Sequence, residues 1–287
     1  MSGTTTINGS SVMSQFTPGT SASVAFNAIT ASGAMFSVDT TSGAFGTAGP
    51  VSVGGMNITA TFANATIVYS TAINSSLTVT TLPSAKVFAA SGDTITAAGA
   101  DTLYGADTGL STFISTGNNS SVVGGAGDMA ATASGANTTL IGGTGTSNFT
   151  VSGAGSVAVA GPSGTTNISL TDSAGAEVAT NPLSNSGSLV ASLSQTGGAD
   201  TVVGGSGSSS IVGGNGHDVF AFVAGHGGGS ETISGFTSND TFAFSSDYGY
   251  SLKNPPPEAV VNGNDVITLT DGTEITTITI INHGKIF

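Results

Sequence analysis

The sequence of 287 residues contains no cysteine, no tryptophan and no arginine. Without cysteine the fold cannot be held by disulfides. Three lysines oppose sixteen acidic residues, and the formal net charge is −13. Because nucleic-acid binding needs cationic side chains that neutralise phosphates, we expect no nucleic-acid partner.

Long apolar runs are missing as well. No stretch approaches the roughly 20 apolar residues that a membrane-spanning helix needs, so no membrane span is predicted. The first residues lack the basic and apolar segments of a conventional signal peptide, so an N-terminal export signal of that kind is not expected either.

Charge is nearly absent from positions 1–85, where Asp39 is the single charged side chain, whereas nine of the sixteen acidic residues lie from Asp200 onward. Such a region could be a β-domain kept in solution by serine and threonine hydroxyls. It could also be a segment that packs against other copies, because little charge is present to keep identical surfaces apart. We favour the second interpretation.

Motifs for catalysis are lacking, and we predict no enzyme. The chain has neither a His-Glu-x-x-His motif nor a Gly-x-Ser-x-Gly elbow, and no glycine cluster opens a helix after a strand as nucleotide binding requires. Asp265 and Asp271 could imitate a glycosidase pair but lie in a segment with another expected role. His217 and His226 flank a glycine-rich stretch, where solvated turns are favoured over zinc binding.

A nine-residue glycine rhythm is the strongest positive signal. Residues 213–221, GGNGHDVFA, match the nonapeptide G-G-x-G-x-D-x-U-x of calcium-binding β-rolls. Two nonapeptides make one coil, so Asp200 and Asp218, which are two nonapeptides apart, should stack on the same edge in successive coils. Carboxylates and turn carbonyls are the hard oxygen ligands that calcium prefers. The predicted calcium ligands are Asp200, Asp218, Gly198, Gly213, Asn215, Gly216 and Asp101, with Asp107 as a weaker candidate.

The rhythm continues upstream, where glycines begin similar turns at regular intervals of two nonapeptides, at Gly99, Gly117, Gly135 and Gly153. Each turn is paired with a short apolar step that would point into a narrow core, which predicts a solenoid. Asn119 and Asn137 are expected to form asparagine ladders along an edge rather than to bind metal.

These patterns predict an all-β chain, a parallel β-roll or β-solenoid with an N-terminal β-rich region and a C-terminal β cap. Residues 1–85 are the nearly uncharged assembly region, and whether they form a separate sandwich or the irregular start of the solenoid stays open. Residues 86–230 are the glycine-rich solenoid. Residues 231–287 are the cap, with a hairpin at the Asp271-Gly272 turn.

The nonapeptide, residues 231–244 and the apolar tail at 265–287 resemble the RTX (hemolysin-type calcium-binding repeat) family. The resemblance is close over residues 198–287, weak over 86–197 and absent from 1–85. It implies calcium binding, secretion from a Gram-negative bacterium by the type I route, and an export signal within residues 231–287. Most repeats depart from the family pattern, with serine, asparagine or threonine at the aspartate position.

These features favour an extracellular structural protein that self-assembles into a fibre, surface layer or biofilm matrix. The alternative is a calcium-dependent adhesin, or a carbohydrate- or ice-binding rod, with cell-surface polysaccharide as a possible partner. Within the repeats, Thr138-Thr139 and Thr165-Thr166 lack the alternating Thr-x-Thr ladder of an ice binder, which counts against that version.

Overall fold

The computed structural model describes residues 5–8, 24–25, 35–39, 43–45, 49–54, 56–71, 73–80, 84–171, 178–180, 187–225, 227–251 and 253–287. Their regular structure is almost entirely β, apart from two helical residues at 24–25 and a short 3-10 turn at Ser246–Tyr248. The chain divides into two compact units, Met1–Asn148 and Phe149–Phe287. We call them unit 1 and unit 2.

The strands of unit 1 alternate between two sheets. Sheet A1 has the order β1-β2-β4-β6-β8-β10-β12-β14, and sheet B1 has the order β3-β5-β7-β9-β11-β13. The strands are β1 (Thr5–Asn8), β2 (Met35–Asp39), β3 (Gly43–Phe45), β4 (Gly49–Val53), β5 (Thr59–Phe62), β6 (Ala65–Ser70), β7 (Ser76–Val79), β8 (Lys86–Phe88), β9 (Thr94–Ala97), β10 (Thr102–Tyr104), β11 (Leu110–Ser115), β12 (Ser121–Val123), β13 (Asp128–Ala133) and β14 (Thr139–Ile141).

Unit 1 is a β-solenoid, as the sequence predicts. β1 and β2 are antiparallel, whereas the pairs from β2 onward are parallel. The chain crosses from one sheet to the other through a turn and returns through a second turn, which completes a coil. Leu110 pairs with Asp128, so the offset between β11 and β13 equals the predicted two nonapeptides.

The core of unit 1 lies between its two sheets. Alternate residues of each strand point inward, and Leu77, Ile95 and Phe113 are fully buried at successive levels of sheet B1. Burying a side chain of this size stabilises a fold by roughly 1.5–3 kcal/mol. Because β7 pairs in parallel with β9, the described strands just before residue 85 stack on those after it as neighbouring coils of one solenoid.

Unit 2 has the same coil, but its two sheets end differently: sheet B2 is extended by further strands and sheet A2 is not. Sheet A2 has the order β16-β18-β20-β22-β24, and sheet B2 the order β15-β17-β19-β21-β23-β27-β26-β25, where most of β15 lies after the boundary between the units. The strands are β15 (Ser147–Val151), β16 (Val157–Val159), β17 (Thr165–Leu170), β18 (Val178–Thr180), β19 (Ser188–Ser192), β20 (Thr201–Val203), β21 (Ser208–Val212), β22 (Val219–Phe222), β23 (Ser230–Ser234), β24 (Thr241–Phe244), β25 (Glu258–Val261), β26 (Asn264–Asp271) and β27 (Glu274–Ile280).

The cap of unit 2 is an antiparallel three-stranded segment added to sheet B2. β27 pairs in parallel with β23, and β26 and β25 follow in antiparallel order. The predicted hairpin is confirmed, since Asp271 pairs with Glu274 and Gly272 between them has a φ of 60°. Sheet A2 has no such extension among the described residues, and it ends at β24.

Candidate metal centre

The predicted stacking of Asp200 on Asp218 is confirmed. Thr201 pairs with Val219, which places the two aspartates directly before equivalent strands one coil apart. The backbone N–H of Asp200 donates to Oδ1 of Asp218 at 3.2 Å, and the N–H of Val219 donates to the carbonyl of Asp200 at 2.8 Å. Both carboxylates are buried. The turns that carry these aspartates form the aspartate edge of unit 2.

Backbone N–H groups donate hydrogen bonds to the aspartate carboxylates on this edge. Asp218 accepts from Gly214 through Oδ2, at 2.8 Å, in addition to the bond from Asp200. Asp240, one coil further, accepts from Asp218 at 3.0 Å and from Thr237 at 2.7 Å. Each of these two carboxylates thus joins its own turn to the preceding coil.

The same pair of hydrogen bonds, one from the aspartate's own turn and one from the preceding coil, occurs in unit 1. Asp101 accepts from the N–H of Ala85 at 2.8 Å and from that of Gly99 at 3.2 Å. Asp93, which no sequence motif singled out, is held in the same way in a turn on the opposite edge of the coil. It accepts from the N–H groups of Ser75 and Ala90, each at 2.9 Å. The only sequence signal was its position after Gly92.

These hydrogen bonds give the aspartates a structural role without a metal. Burial raises the pKa of Asp218, while the bonds from Gly214 and Asp200 lower it. A calcium ion requires six to eight oxygen ligands, and a carboxylate oxygen that accepts one N–H bond keeps a further lone pair, so these bonds neither require a metal nor exclude one.

Serine and threonine close the turns where aspartate is absent. Ser120 and Thr138 precede β12 and β14, as Asp101 precedes β10. Their hydroxyls donate at 2.9 Å to the carbonyls of Gly117 and Gly135, respectively. The departures from the nonapeptide pattern therefore replace a carboxylate that accepts with a hydroxyl that donates, and the turn keeps its place before the strand.

The predicted glycine ligands lie in closely stacked turns. A β-carbon on Gly216 would overlap the carbonyl oxygen of Gly198, and one on Gly213 would lie 2.8 Å from that of Gly235. Asn215 is exposed, and its side-chain amide donates to the Gln195 carbonyl at 2.6 Å. Close approach of the backbones thus gives a steric reason for glycine at these positions.

The asparagine ladder is present in unit 1. Asn119 and Asn137 both adopt a left-handed conformation, with φ of 58° and 54°, and the amide of Asn137 donates to Oδ1 of Asn119 at 3.5 Å. The weaker candidate Asp107 accepts from the N–H of Ala126 at 3.3 Å.

The histidines give no zinc geometry in the described part of the chain. His217 is exposed, and its Nδ1 lies 3.1 Å from the Asn239 carbonyl. His226 lies outside the described residues. Among the described residues no cluster of three or more His, Cys, Asp or Glu side chains could hold a metal ion.

Glu231 is a buried acid that no sequence motif singled out. It points inward from β23, is 0% exposed, and forms no hydrogen bond of normal geometry through either carboxylate oxygen. Burial raises its pKa to about 7, against the lowering effects of the nearby Ser209 hydroxyl and Gly205 backbone. The signal in the sequence was an acid shortly after the glycine run at residues 227–229.

An aromatic cavity of about 300 Å³ lies at the end of sheet A2. Phe242 and Phe244 of β24 form its floor, together with Tyr250 and Phe287. The rings of Phe242 and Phe244 stack with centroids 5.9 Å apart.

No protein-family model matches the chain, and no curated protein is significantly similar to it. Among the described residues, no helix is long and apolar enough to cross a membrane.

Proposed function

We propose that this chain is an extracellular structural protein whose copies assemble into a fibre, surface layer or matrix. The single observation that carries the proposal is the end of sheet A2. β24 pairs with β22 on one side, and no strand of the described residues pairs with its other side. An unpaired strand edge is a template for another chain, because its N–H and C=O groups lack partners.

The aromatic side chains at this edge support the same role. Phe242 and Phe244 point toward the core but remain partly exposed, since sheet A2 ends there while sheet B2 continues through its cap. An added strand would cover these rings and the cavity beside them. A contact between unlike surfaces of two copies, if it does not close by rotation, produces an open filament.

Calcium binding and secretion belong to the same proposal. The coil offset of two nonapeptides and the glycine turns support a likeness to the RTX family, which implies both properties. In this proposal residues 231–287 hold the type I export signal, the cell of origin is a Gram-negative bacterium, and no catalytic role is assigned.

The test is to introduce a charge at the edge of β24. Phe244→Lys places an ammonium group inside the cavity, and Ser251→Lys places one on its exposed rim, which perturbs packing less. Ala221→Lys, on the outward face of the neighbouring strand β22 and outside the cavity lining, is the matched control. We expect filaments or sheets in electron micrographs of the parent and the control, and their loss in the two edge variants. A parent that stays monomeric at high concentration with calcium contradicts the proposal.

The alternative, a binding rod, has its own supporting observation on sheet B1. Thr59, Thr94 and Thr112 occupy one outward-facing column together with Ser76, and a second column contains Thr61, Thr78 and Thr96. Neighbouring hydroxyls are spaced by ~4.8 Å across strands and ~6.6 Å along them. The two columns form a partial Thr-x-Thr ladder: β5 and β9 each present Thr-x-Thr, whereas β7 presents Ser76-x-Thr78 and β11 presents Thr112-x-Ile114. Such an ordered row could bind ice or a crystalline polysaccharide.

A further inference from the structure

Residues 283–287 follow β27 of sheet B2 and reach the end of sheet A2. The ring of His283 packs edge-on against that of Phe236, with 5.4 Å between the centroids. At the other end of the segment, Phe287 lines the aromatic cavity beside β24. The segment therefore runs from one sheet of unit 2 to the end of the other, and we call it the strap.

The ring of Phe287 packs against the last strand of sheet A2. Its centroid lies 6.3 Å from that of Phe242 and 6.0 Å from that of Phe244. Rings of the neighbouring coil contact the same two residues at similar distances, 5.7 Å for Phe220 and 6.1 Å for Phe222. Phe287 thus contacts β24 as a residue of an adjacent coil would, and it competes with side chains that an added strand would bring to these rings.

A single carboxylate holds the last residues of the strap. Oε1 of Glu258, on β25, accepts the N–H of Phe287 at 3.1 Å and also that of Ile286. Nζ of Lys285 lies 3.9 Å from Oε2 of the same side chain, which is 4% exposed. Hydrogen bonds to an ionised acceptor are roughly twice as strong as neutral ones. Three consecutive residues of the strap therefore depend on Glu258.

Glu258 keeps its negative charge at neutral pH. Burial raises its pKa, but its interactions with the neighbouring Asp265, with two N–H groups of the strap and with Lys285 lower the pKa overall. A neutral amide in place of this carboxylate would keep an oxygen for the N–H groups but would lose the charge that strengthens them. Neutralising Glu258 should therefore loosen the strap.

We propose that the strap restrains assembly: Glu258 holds residues 283–287 so that Phe287 occupies the aromatic end of sheet A2, and a second copy must displace that ring to add a strand at β24. This inference rests on the proposed function, because it concerns the regulation of the same edge. An exposed strand edge recruits other chains unless something covers or blocks it. A short segment with one anchor slows this recruitment without preventing it.

The position of the strap can be measured apart from assembly. The sequence contains no tryptophan, so Phe287→Trp in the full chain introduces a single fluorophore at the end of the strap. At concentrations too low for assembly, the tryptophan should show the high fluorescence anisotropy of a side chain that tumbles with the whole protein. Adding Glu258→Gln should lower that anisotropy, because the released segment moves independently.

Assembly is measured by light scattering and electron microscopy as the lowest concentration at which the full chain forms filaments. Phe287→Ala and Glu258→Gln should each lower this concentration by at least about three-fold. Lys285→Ala should lower it less, since the lysine side chain is 59% exposed and exposed ion pairs contribute little. Lys86→Ala removes the same charge at an exposed position of unit 1 and, as the matched control, should leave the concentration unchanged.

The outcomes separate the strap from the assembly function. If the parent forms filaments and Phe287→Ala needs the same or a higher concentration, the inference is wrong, because Phe287 is then no obstacle to the contact. Phe287→Ala leaves the buried carboxylate intact, so this result stands even if Glu258→Gln folds poorly. Unchanged anisotropy in a folded Glu258→Gln variant would refute Glu258 as the anchor. If neither parent nor variants form filaments, the proposed function fails, while the anisotropy still shows whether Glu258 holds the strap.

Discussion

Units 1 and 2 have the same coil and share buried aspartates that accept backbone N–H bonds, such as Asp218 in unit 2, but unit 2 also buries two acids of another kind. In unit 1 the buried acids Asp93 and Asp101 each accept two backbone N–H bonds. In unit 2 the buried acids Glu231 and Asp265 have no hydrogen bond of normal geometry to either carboxylate oxygen. Buried carboxylates that are fully bonded rigidify a turn, whereas those that are not depend on a proton or an ion. Glu231 and Asp265, whose pKa values burial raises to about 7 and about 6, should therefore make the stability of unit 2 depend on pH near neutrality.

The comparison extends to coil length. Leu110 of β11 pairs with Asp128 of β13 in unit 1, an offset of two nonapeptides. Ser208 of β21 pairs with Ser230 of β23 in unit 2, which makes that coil longer by four positions. The extra residues lengthen the glycine turn that precedes Glu231. The coils of unit 2 are not uniformly longer, since Thr201 pairs with Val219 at the same offset as in unit 1.

The largest expected effect on stability comes from removing a buried carboxylate that accepts two backbone N–H bonds. Asp93→Ala leaves the N–H groups of Ser75 and Ala90 without their acceptor, and should lower the free energy of unfolding by about 2–4 kcal/mol. Asp93→Ser should lose less, because the serines one coil away on either side, Ser75 and Ser111, each accept an N–H bond. Denaturant unfolding measures both.

The matching change in unit 2 is Asp218→Ala, which removes the acceptor of Gly214 and Asp200. We expect a loss of similar size that calcium neither enlarges nor repairs. Loss of calcium binding in Asp218→Ala but not in Asp93→Ala would show that the aspartates of unit 2 are calcium ligands, as the sequence predicts. The difference between the units would then lie in the aspartates that accept N–H bonds, and not in Glu231 and Asp265.

A smaller effect is expected from pH. Burial raises the pKa of Asp265 to about 6, and the neighbouring Glu258 carboxylate raises it too, whereas the Ile286 N–H and His283 lower it. The folded pKa exceeds the ordinary value of 3.8, so the stability that protonation contributes is complete below that value and is lost as pH rises through about 6.

Asp265→Asn should remove this dependence. The difference in free energy of unfolding between the variant and the parent should be small near the ordinary pKa of aspartate. Above the raised pKa it should favour the variant, by on the order of 1–2 kcal/mol. Using the difference cancels the contribution of Glu231, which titrates in the same direction. A difference that stays constant across this range would show that Asp265 does not titrate between the two values.

The smallest effect on stability is expected on the threonine face of sheet B1. Thr59, Thr61 and Thr78 point outward, so replacing them with lysine should change the free energy of unfolding by no more than about 0.5 kcal/mol. If copies pack through this face, the charges should abolish assembly, because each repeated contact would bury an uncompensated charge.

The same variants separate assembly from surface binding. Loss of ice or polysaccharide binding with normal filaments would assign the threonine ladder to a ligand. Well-folded variants that still assemble and still bind would show that the face serves neither purpose. Calcium titration of these variants should match the parent, since their substitutions lie in unit 1.

Much of the fold could be predicted because the geometry of a solenoid repeats at a fixed sequence spacing. The regular glycine interval predicts the coil, and the spacing of Asp200 and Asp218 predicts their stacking. The Thr-x-Thr ladder was missed, because its columns join residues in separate coils, several of them before the glycine rhythm begins, where no repeat aligns them. Asp93 was missed for a related reason, since its N–H partners Ser75 and Ala90 are set by how the coils stack.

The periodicity of the sequence is enough to specify the all-β class, the length of the coil and the residues that stack along one edge. Each coil buries its apolar side against its neighbours, so the repeat must match the coil. Which carboxylates are already occupied follows only from the folded arrangement, since a hydrogen bond depends on distances of tenths of an ångström that spacing does not encode. The unpaired edge of β24 is also decided only by the tertiary structure. The chain after residue 244 extends sheet B2, so no further strand of the described residues pairs with sheet A2.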